Sequence, residues 1–442
     1  MKVDTTWIPR LTPAPDPKKT LADQSLVLRW FNFPPYHDEP KIWHLSATLK
    51  AADVKMEISP EEGDTAEVAG GSSLQLDRAL AKLAGESVER YATTRNLSVE
   101  CGELNSWNNL KVSGLKALDP VELPIGDESQ RKYRRDQKVA WLQGIDLRSW
   151  ETTYIPAQLI FVPHVFLENE AVWRSPISTG AAAHSSLEGA LYAGLCEVIE
   201  RDAFQVAWLR QLKLTHLKIP TGDTQVHQML MKLLALSKRY HLRCELYQIP
   251  CSLPLTVCMA IIWDDTGIGP PCAVAAKCSP SLVTACLGAV EEAYQMRSWL
   301  RRLLDTSGAS LKSKSLNTLR DRARHWLTTE AAQVLANWTQ KANQDSSTVG
   351  VERLLTLSKL IDAVTQDGGS PYAVDLTPRL PTSIQELGWY SIKIVVPQYQ
   401  PLNLTEEMED FALERLDNAE TRLGVEALIS VGQRHQYPHP FL

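Results

Sequence analysis

Apolar residues along this chain recur at two spacings, and the spacing changes from segment to segment. Residues 76–92 (LDRALAKLAGESVERYA), 186–204 (SLEGALYAGLCEVIERDAF), 224–239 (TQVHQMLMKLLALSKR) and 281–304 repeat apolar positions at three- and four-residue intervals, which predicts helices. Residues 25–33, 158–163 (QLIFVP), 244–250 (CELYQIP), 253–263 (LPLTVCMAIIW), 272–278, 372–376 and 391–397 are short apolar or alternating runs closed by Gly, Pro or polar residues, which predicts strands. Turns are expected at Gly70-Gly71, before the first long helix, and between Gly267 and Pro271, and residues 105–109 read as loop. Residues 305–360 are polar and helical, with Trp326 and Trp338 among them. Strands that alternate with helices place the chain in the α/β or α+β class.

Composition narrows the function classes. A chain of 442 residues, 44% hydrophobic and 22% charged, suits a globular enzyme with a sizeable core. Its net charge of −6 argues against general nucleic-acid binding, which favours basic chains. The start, MKVDTTWIPR, lacks the apolar core of a signal peptide, and no apolar run approaches the roughly 20 residues that span a bilayer. Eight cysteines show no C-x-x-C pair and sit mostly in apolar runs, so reduced, buried thiols are expected rather than disulfides or zinc ligands. A cytoplasmic enzyme fits these features.

Two segments share one polar pattern. Glu86, Glu89 and Arg90 form an E-x-x-E-R, and so do Glu197, Glu200 and Arg201. On a helix these positions share a face, so each copy projects two carboxylates and a guanidinium the same way. A single copy is ordinarily a solvated face with an internal ion pair. Here Ala183, Ala190, Ala193, Gly194, Leu195, Cys196 and Ile199 surround the second copy, and Ala203, Phe204, Val206, Ala207 and Trp208 follow it. A helix so apolar on most sides is expected to be buried, and buried carboxylates require a cation or a donor. Four carboxylates and two arginines that converge read as a site for a metal–nucleotide complex, since carboxylates suit hard divalent cations and arginines suit phosphate oxygens. The chain has no G-x-x-x-x-G-K-[ST] and no G-x-G-x-x-G after a strand, so such a site must rest on side chains and metal ions rather than a Gly-rich loop.

The run from Ser178 to Ala190 (STGAAAHSSLEGA), followed by GLCEVIERDAF, resembles the central motif of YcaO-domain proteins, and GESVERYA is similar to their earlier E-x-x-E-R-Y. AVEEAYQMR (289–297) resembles their E-A-x-Q-x-R helix. Val374-Asp375-Leu376-Thr377-Pro378, Leu387-Gly388-Trp389 and IVVPQYQPL resemble their C-terminal patterns, and the ending PHPFL looks like the proline-rich tail of the azoline-forming cyclodehydratase branch. These matches run in family order from about residue 65 to the end.

The resemblance implies a YcaO-like fold, sheets flanked by helices with an ATP site between helices. It divides the chain into an N-terminal Pro-rich segment with a strand (1–63) and an ATP-binding catalytic domain (64–442) carrying a polar helical insert at about 305–360. It implies ATP and Mg2+ as cofactors. Glu86, Glu89, Glu197 and Glu200 would hold metal. Arg90, Glu188, Arg201, Glu292 and Gln295 would bind ATP. The tail residues Pro438, Pro440 and Leu442 would serve catalysis, with two prolines stiffening the tail. The chain departs from the pattern in three places: the Gly70-Gly71 turn lacks a lysine that relatives often carry, Gly189 stands where many relatives have a second glutamate, and Leu442 replaces a terminal proline. Glu188 reads equally well as a residue favoured by the helix dipole.

In the family's cyclodehydratases, a Cys, Ser or Thr side chain of a ribosomal precursor peptide attacks the preceding backbone carbonyl. The oxyanion takes the γ-phosphoryl group of ATP, and loss of phosphate leaves an azoline. The expected partners are that peptide and a separate ThiF-like or leader-peptide-binding protein, because some sixty residues before the first motif are too few for a fused module. No nucleic acid or membrane is expected, and a homodimer is compatible. The alternatives are a thioamide- or amidine-forming enzyme of the same family, a non-catalytic ATP-binding accessory protein, and a metal-dependent hydrolase. The sequence does not specify the peptide or the ring type.

Overall fold

The computed structural model describes residues 14–50, 68–94, 104–124, 128–219, 222–307, 316, 318–344, 355–402 and 410–442. Cys101, Pro9, Pro13 and residues 64–67 of the expected turn lie outside them. In chain order the principal strands are β1 (Val27–Asn32), β2 (Trp43–Leu49), β3 (Val68–Ser73), β4 (Trp141–Asp146), β5 (Glu151–Pro156), β6 (Ala181–His184), β7 (Leu242–Ile249), β8 (Thr256–Asp264), β9 (Cys272–Ser279), β10 (Tyr372–Asp375) and β11 (Tyr390–Val395). Three helices carry the site: α1 (Leu76–Thr93), α2 (Leu187–Arg210) and α3 (Leu282–Ser307).

The strands form three principal sheets. The first is β1-β2-β3 and the second β9-β8-β7, the latter extended by Thr215–His216 and Asn343–Gln344. The third is β5-β4-β10-β11-β6. Every pairing among the principal strands is antiparallel, which makes the class α+β. β8 is buried over nearly its whole length because α3 covers one face of its sheet and the main core covers the other.

Each sheet packs against one of these three helices. α1 lies on β2 and β3, α3 on β8 and β9, and α2 against β6, β11 and β9. α2 is apolar on most sides and buries Leu191, Leu195, Ile199, Phe204, Val206 and Trp208, as expected for a helix between two sheets. Its start is set by Ser186, whose hydroxyl accepts the Gly189 N–H at 3.1 Å. It ends at Gln211, which adopts the left-handed conformation (φ 48°).

Three local expectations are corrected. Gly70 and Gly71 lie within β3, not in a turn. A Cβ on Gly71 would come within 2.5 Å of the Ala79 carbonyl oxygen and 2.7 Å of the Leu83 nitrogen. The glycine serves the close approach of β3 to α1. Residues 158–163 are not a strand: Ala157–Leu159 forms a 3-10 turn, and the Ile160 N–H closes onto the Ala157 carbonyl. A short buried apolar run has no periodicity that separates the two. Residues 105–109 are not loop. Asn105–Ser106 pairs with Lys138–Val139, and Trp107–Val112 is a helix capped by the Ser106 hydroxyl.

The tryptophans of the 305–360 stretch are not peripheral. Trp326 and Trp338 are each 2% exposed and belong to the main core. The seven described cysteines are all free, and Cys196, Cys258, Cys272, Cys278 and Cys286 are buried. Among the described residues no helix is long and apolar enough to cross a membrane.

Candidate functional site

The two E-x-x-E-R motifs face each other. Burial, and then the nearby Glu197 of α2 and Glu86 of α1, hold the carboxyl of Glu89 on α1 well above the usual carboxylate range. Glu86 is held from two sides: it accepts the Gly70 N–H at 3.0 Å and pairs with Arg90 at 2.8 Å. On α2, Arg201 stands 3.8 Å from Glu197 and 3.5 Å from Glu200. Burial works against the Arg201 charge, yet Glu200, Glu197, Glu292 and Glu89 outweigh it and keep its pKa above the ordinary value. Glu200 is buried, and one oxygen accepts the Cys278 N–H at 2.8 Å. Burial raises its pKa to about 7, against the opposing pull of Lys277 and Arg201.

The third helix completes the cluster. Glu292 of α3 pairs with Lys277 of β9 at 2.9 Å. Burial pushes the Glu292 carboxyl up, but Lys277 and Lys82 prevail and hold it low. Its neighbour Glu291 is fully buried, accepts from Ser73 at 2.7 Å, and pairs with Lys82 at 2.7 Å and Arg78 at 3.2 Å. On β11, Lys393 is buried, and desolvation brings its pKa to about 7 despite Glu197 and Glu89; it donates to the Ile177 carbonyl at 2.7 Å.

A cavity of about 650 Å³ opens beside this cluster, beneath the first sheet. Of the residues expected from sequence, Glu86, Arg90, Gln295 and Leu442 line it. Arg29, Arg302 and Arg320 add cations to its wall, and Phe31 and Phe33 add rings, among aliphatic and small polar residues. This volume is in the range of small-molecule sites.

The tail reaches the same place as built structure. The His439 carbonyl accepts from Arg322 at 3.2 Å and from the Trp326 indole at 3.0 Å. Pro440 and Phe441 are buried, Pro438 is half-buried, and Phe441 packs edge-on against Phe204 with centroids 4.0 Å apart. Leu442 then meets the cavity.

Glu188 is not brought in: it is exposed in the first turn of α2. The His184 ring occupies the space a side chain at 189 would need, since a Cβ on Gly189 would lie 2.1 Å from its Nδ1. The departure at Gly189 is thus matched by the histidine that packs on it.

Sequence reasoning missed Lys82, Lys277, Lys393 and Glu291. The available signal was a lone lysine within an otherwise apolar strand, CAVAAKCS and YSIKIV, because a lysine there must find a partner.

The donor set fits Mg2+ carried on a nucleotide. Among the described residues, no group of three His, Cys, Asp or Glu side chains is placed to hold a metal ion alone. Mg2+ needs only one or two carboxylates when phosphate oxygens and waters supply the rest. The buried Glu200 Oε1 and Arg201 Nε form no hydrogen bond and face each other at 3.5 Å as an ion pair, an arrangement loose enough for a metal–phosphate group to share.

Comparisons with known proteins bear on the fold and the family. No curated protein matches the chain in sequence. Among solved structures, a heterocyclase in complex with substrate and cofactor is similar over 99% of this chain (17% identity, TM-score 0.74), and this chain spans 60% of that protein's length. YcaO from Methanopyrus kandleri, bound with AMPPCP and Mg2+, is similar over 87% of this chain and 91% of its own (20% identity, TM-score 0.62). The E. coli microcin synthetase McbBCD complex with pro-MccB17 bound is similar over 84% and 88% (16% identity, TM-score 0.59). At these identities the likeness is one of fold. Residues 70–400, well over half of the chain, match the family described as YcaO cyclodehydratase, ATP- and Mg2+-binding, and the chain belongs to the YcaO cyclodehydratase family.

Proposed function

We propose that this protein is an ATP-dependent cyclodehydratase subunit that converts Cys, Ser or Thr residues of a ribosomally made precursor peptide into azolines. The observation that supports this reading is the cluster of carboxylates and arginines from three helices beside a cavity of about 650 Å³ that Glu86, Arg90, Gln295 and Leu442 line. A cyclodehydratase needs such a place, where nucleotide phosphates and a peptide amide meet.

ATP with Mg2+ would supply the phosphoryl group that turns an amide oxygen, a poor leaving group, into phosphate. The chain's residues divide the remaining work. Glu86, Glu89, Glu197 and Glu200 would hold metal. Arg201 and Arg90 would face the phosphates and neutralise the charge that develops on them. Gln295, on the cavity wall, and Glu292, paired with Lys277, would orient the nucleotide. Pro438 and Pro440 would position the tail, and Leu442, on the cavity wall, would lie beside the peptide. The reaction would consume one ATP per ring: the side-chain S or O loses its proton and adds to the amide carbon, the resulting oxyanion takes the γ-phosphoryl group and ADP is released, and C=N forms as the C–O bond breaks, phosphate leaves and the amide N–H proton is lost.

The precursor peptide and a separate leader-binding or ThiF-like partner belong to the same proposal. Its setting is the cytoplasm, where ATP and new peptide are available. The fold-likeness to a microcin synthetase complex with pro-MccB17 bound supports an assembly of this kind. The test is to incubate the protein with Mg-ATP, a Cys-rich precursor peptide and a candidate partner. The expected result is loss of one water per ring by mass spectrometry, coupled to phosphate release. Phosphate release without mass loss, with every candidate partner, would favour an accessory ATP-binding role instead.

A further inference from the structure

β9 is mostly apolar and carries a single charge. In CAVAAKCS, Lys277 alone carries a charge, and its stem is laid along α3. A Cβ on Gly288 would lie 2.7 Å from Lys277 Cγ and 3.3 Å from its Cβ and Cδ. Gly288 therefore opens the channel along which the lysine reaches inward. Its ammonium ends 2.9 Å from Glu292, and Glu200 and Glu197 act on it as well. The next residue, Cys278, holds the other side of Glu200 through its backbone N–H. β9 thus places a cation among carboxylates drawn from α2 and α3. Deep in the fold, Lys277 still keeps 42% of its side chain open and Glu292 32%, so both face space that a ligand could share.

We propose that the Lys277 ammonium is a built-in cation that takes one divalent-ion position in the carboxylate cluster, so that this chain binds fewer Mg2+ ions with its nucleotide than its carboxylates would otherwise hold. The inference rests on the ATP–Mg2+ reading above and deepens it. Two observations carry it together: the lysine's placement among Glu292, Glu200 and Glu197, and the absence, among the described residues, of any three-residue metal-ligating group. An ammonium is compact, has three donors and no acceptor, and satisfies carboxylates that would otherwise repel one another. Lys393 faces the other end of the cluster, with one of its donors bonded to the Ile177 carbonyl. The side formed by Glu86, Glu89 and Glu197 is left for the ion that arrives with the phosphates.

The test counts metal. Wild-type protein and Lys277→Met, which keeps the apolar stem and removes the charge, are equilibrated with Mn2+ and AMPPCP, and bound Mn2+ is measured by electron paramagnetic resonance. The variant is expected to bind one more Mn2+ per chain than wild type. Equal stoichiometry would overturn the inference, as would a loss of AMPPCP affinity without added Mn2+, which would make Lys277 a phosphate contact. If wild type binds neither AMPPCP nor Mn2+, the ATP-site reading itself fails and this inference with it. Far-UV circular dichroism checks folding; should Lys277→Met not fold, Lys277→Gln carries the same expectation.

Discussion

The Arg201 guanidinium lies 4.7 Å from the centre of the Phe441 ring. One residue belongs to the E-x-x-E-R of α2, the other is next to last in the chain, and the contact ties the carboxylate cluster to the tail. A cation over a ring face at this distance is attracted by about 0.5–2 kcal/mol. The tail's position is therefore coupled to the group proposed to face the phosphates.

That coupling changes how the tail should be tested. Removing residues 438–442 would also remove Phe441, which is 4% exposed. Phe441→Ala alone is expected to cost roughly 3–5 kcal/mol of stability, read from urea denaturation. Removing only Leu442, which is half-buried at the cavity wall, should leave stability within about 1 kcal/mol and lower azoline formation by about 100-fold, with ATP affinity retained. Full-rate cyclisation without Leu442 would show that the chain end takes no part.

Glu89→Gln and Glu200→Gln should each lower ATP turnover by about 100-fold or more, measured as phosphate release. Both carboxyls have raised pKa values, Glu89 chiefly from burial and Glu197, Glu200 from burial. A neutral glutamine suits such a site in the nucleotide-free protein, so melting temperatures should be unchanged or higher. A variant that melts low would show the carboxylate is needed for folding.

His44 provides an acid-side stability limb. It is buried, shares a 2.9 Å hydrogen bond with Ser72, and burial, aided by Arg302, lowers its pKa to about 4. Its unfolded pKa is near 6.5. Between these values the unfolded chain binds more protons than the native one, so stability rises with pH there and is lost as pH falls from about 6.5 to about 4. The expected loss is about 3 kcal/mol. His44→Asn should flatten that limb in denaturation curves recorded across pH; an unchanged limb would assign it to other groups.

Gly71→Ala is expected to destabilise by about 3 kcal/mol, because the added Cβ meets the backbone of Ala79 and Leu83, which no rotamer change can relieve. Thermal melting checks this. A near-neutral result would mean that α1 can move off β3 at little cost.

The sequence by itself determined the long helices and most of the strands, because three- and four-residue spacing and short apolar runs are local signals. It also determined the family, through motifs in order, and the charged faces of α1 and α2, because E-x-x-E-R on a helix has one geometry. Tertiary structure alone decided what those faces meet. Glu89 of α1 finds Glu197 of α2, and Lys277 of β9 comes to act on Glu200 of α2, only because separate sheets deliver α1, α2 and β9 to the same point. Gly70 and Gly71 look like a turn until α1 is packed on them, and Gly189 looks like a lost ligand until His184 is seen to fill its space. The cavity joins Arg29, Arg90, Arg302 and Leu442, residues so far apart along the chain that no periodicity connects them. Local spacing encodes which face a side chain takes; sheet order and helix packing encode its neighbours.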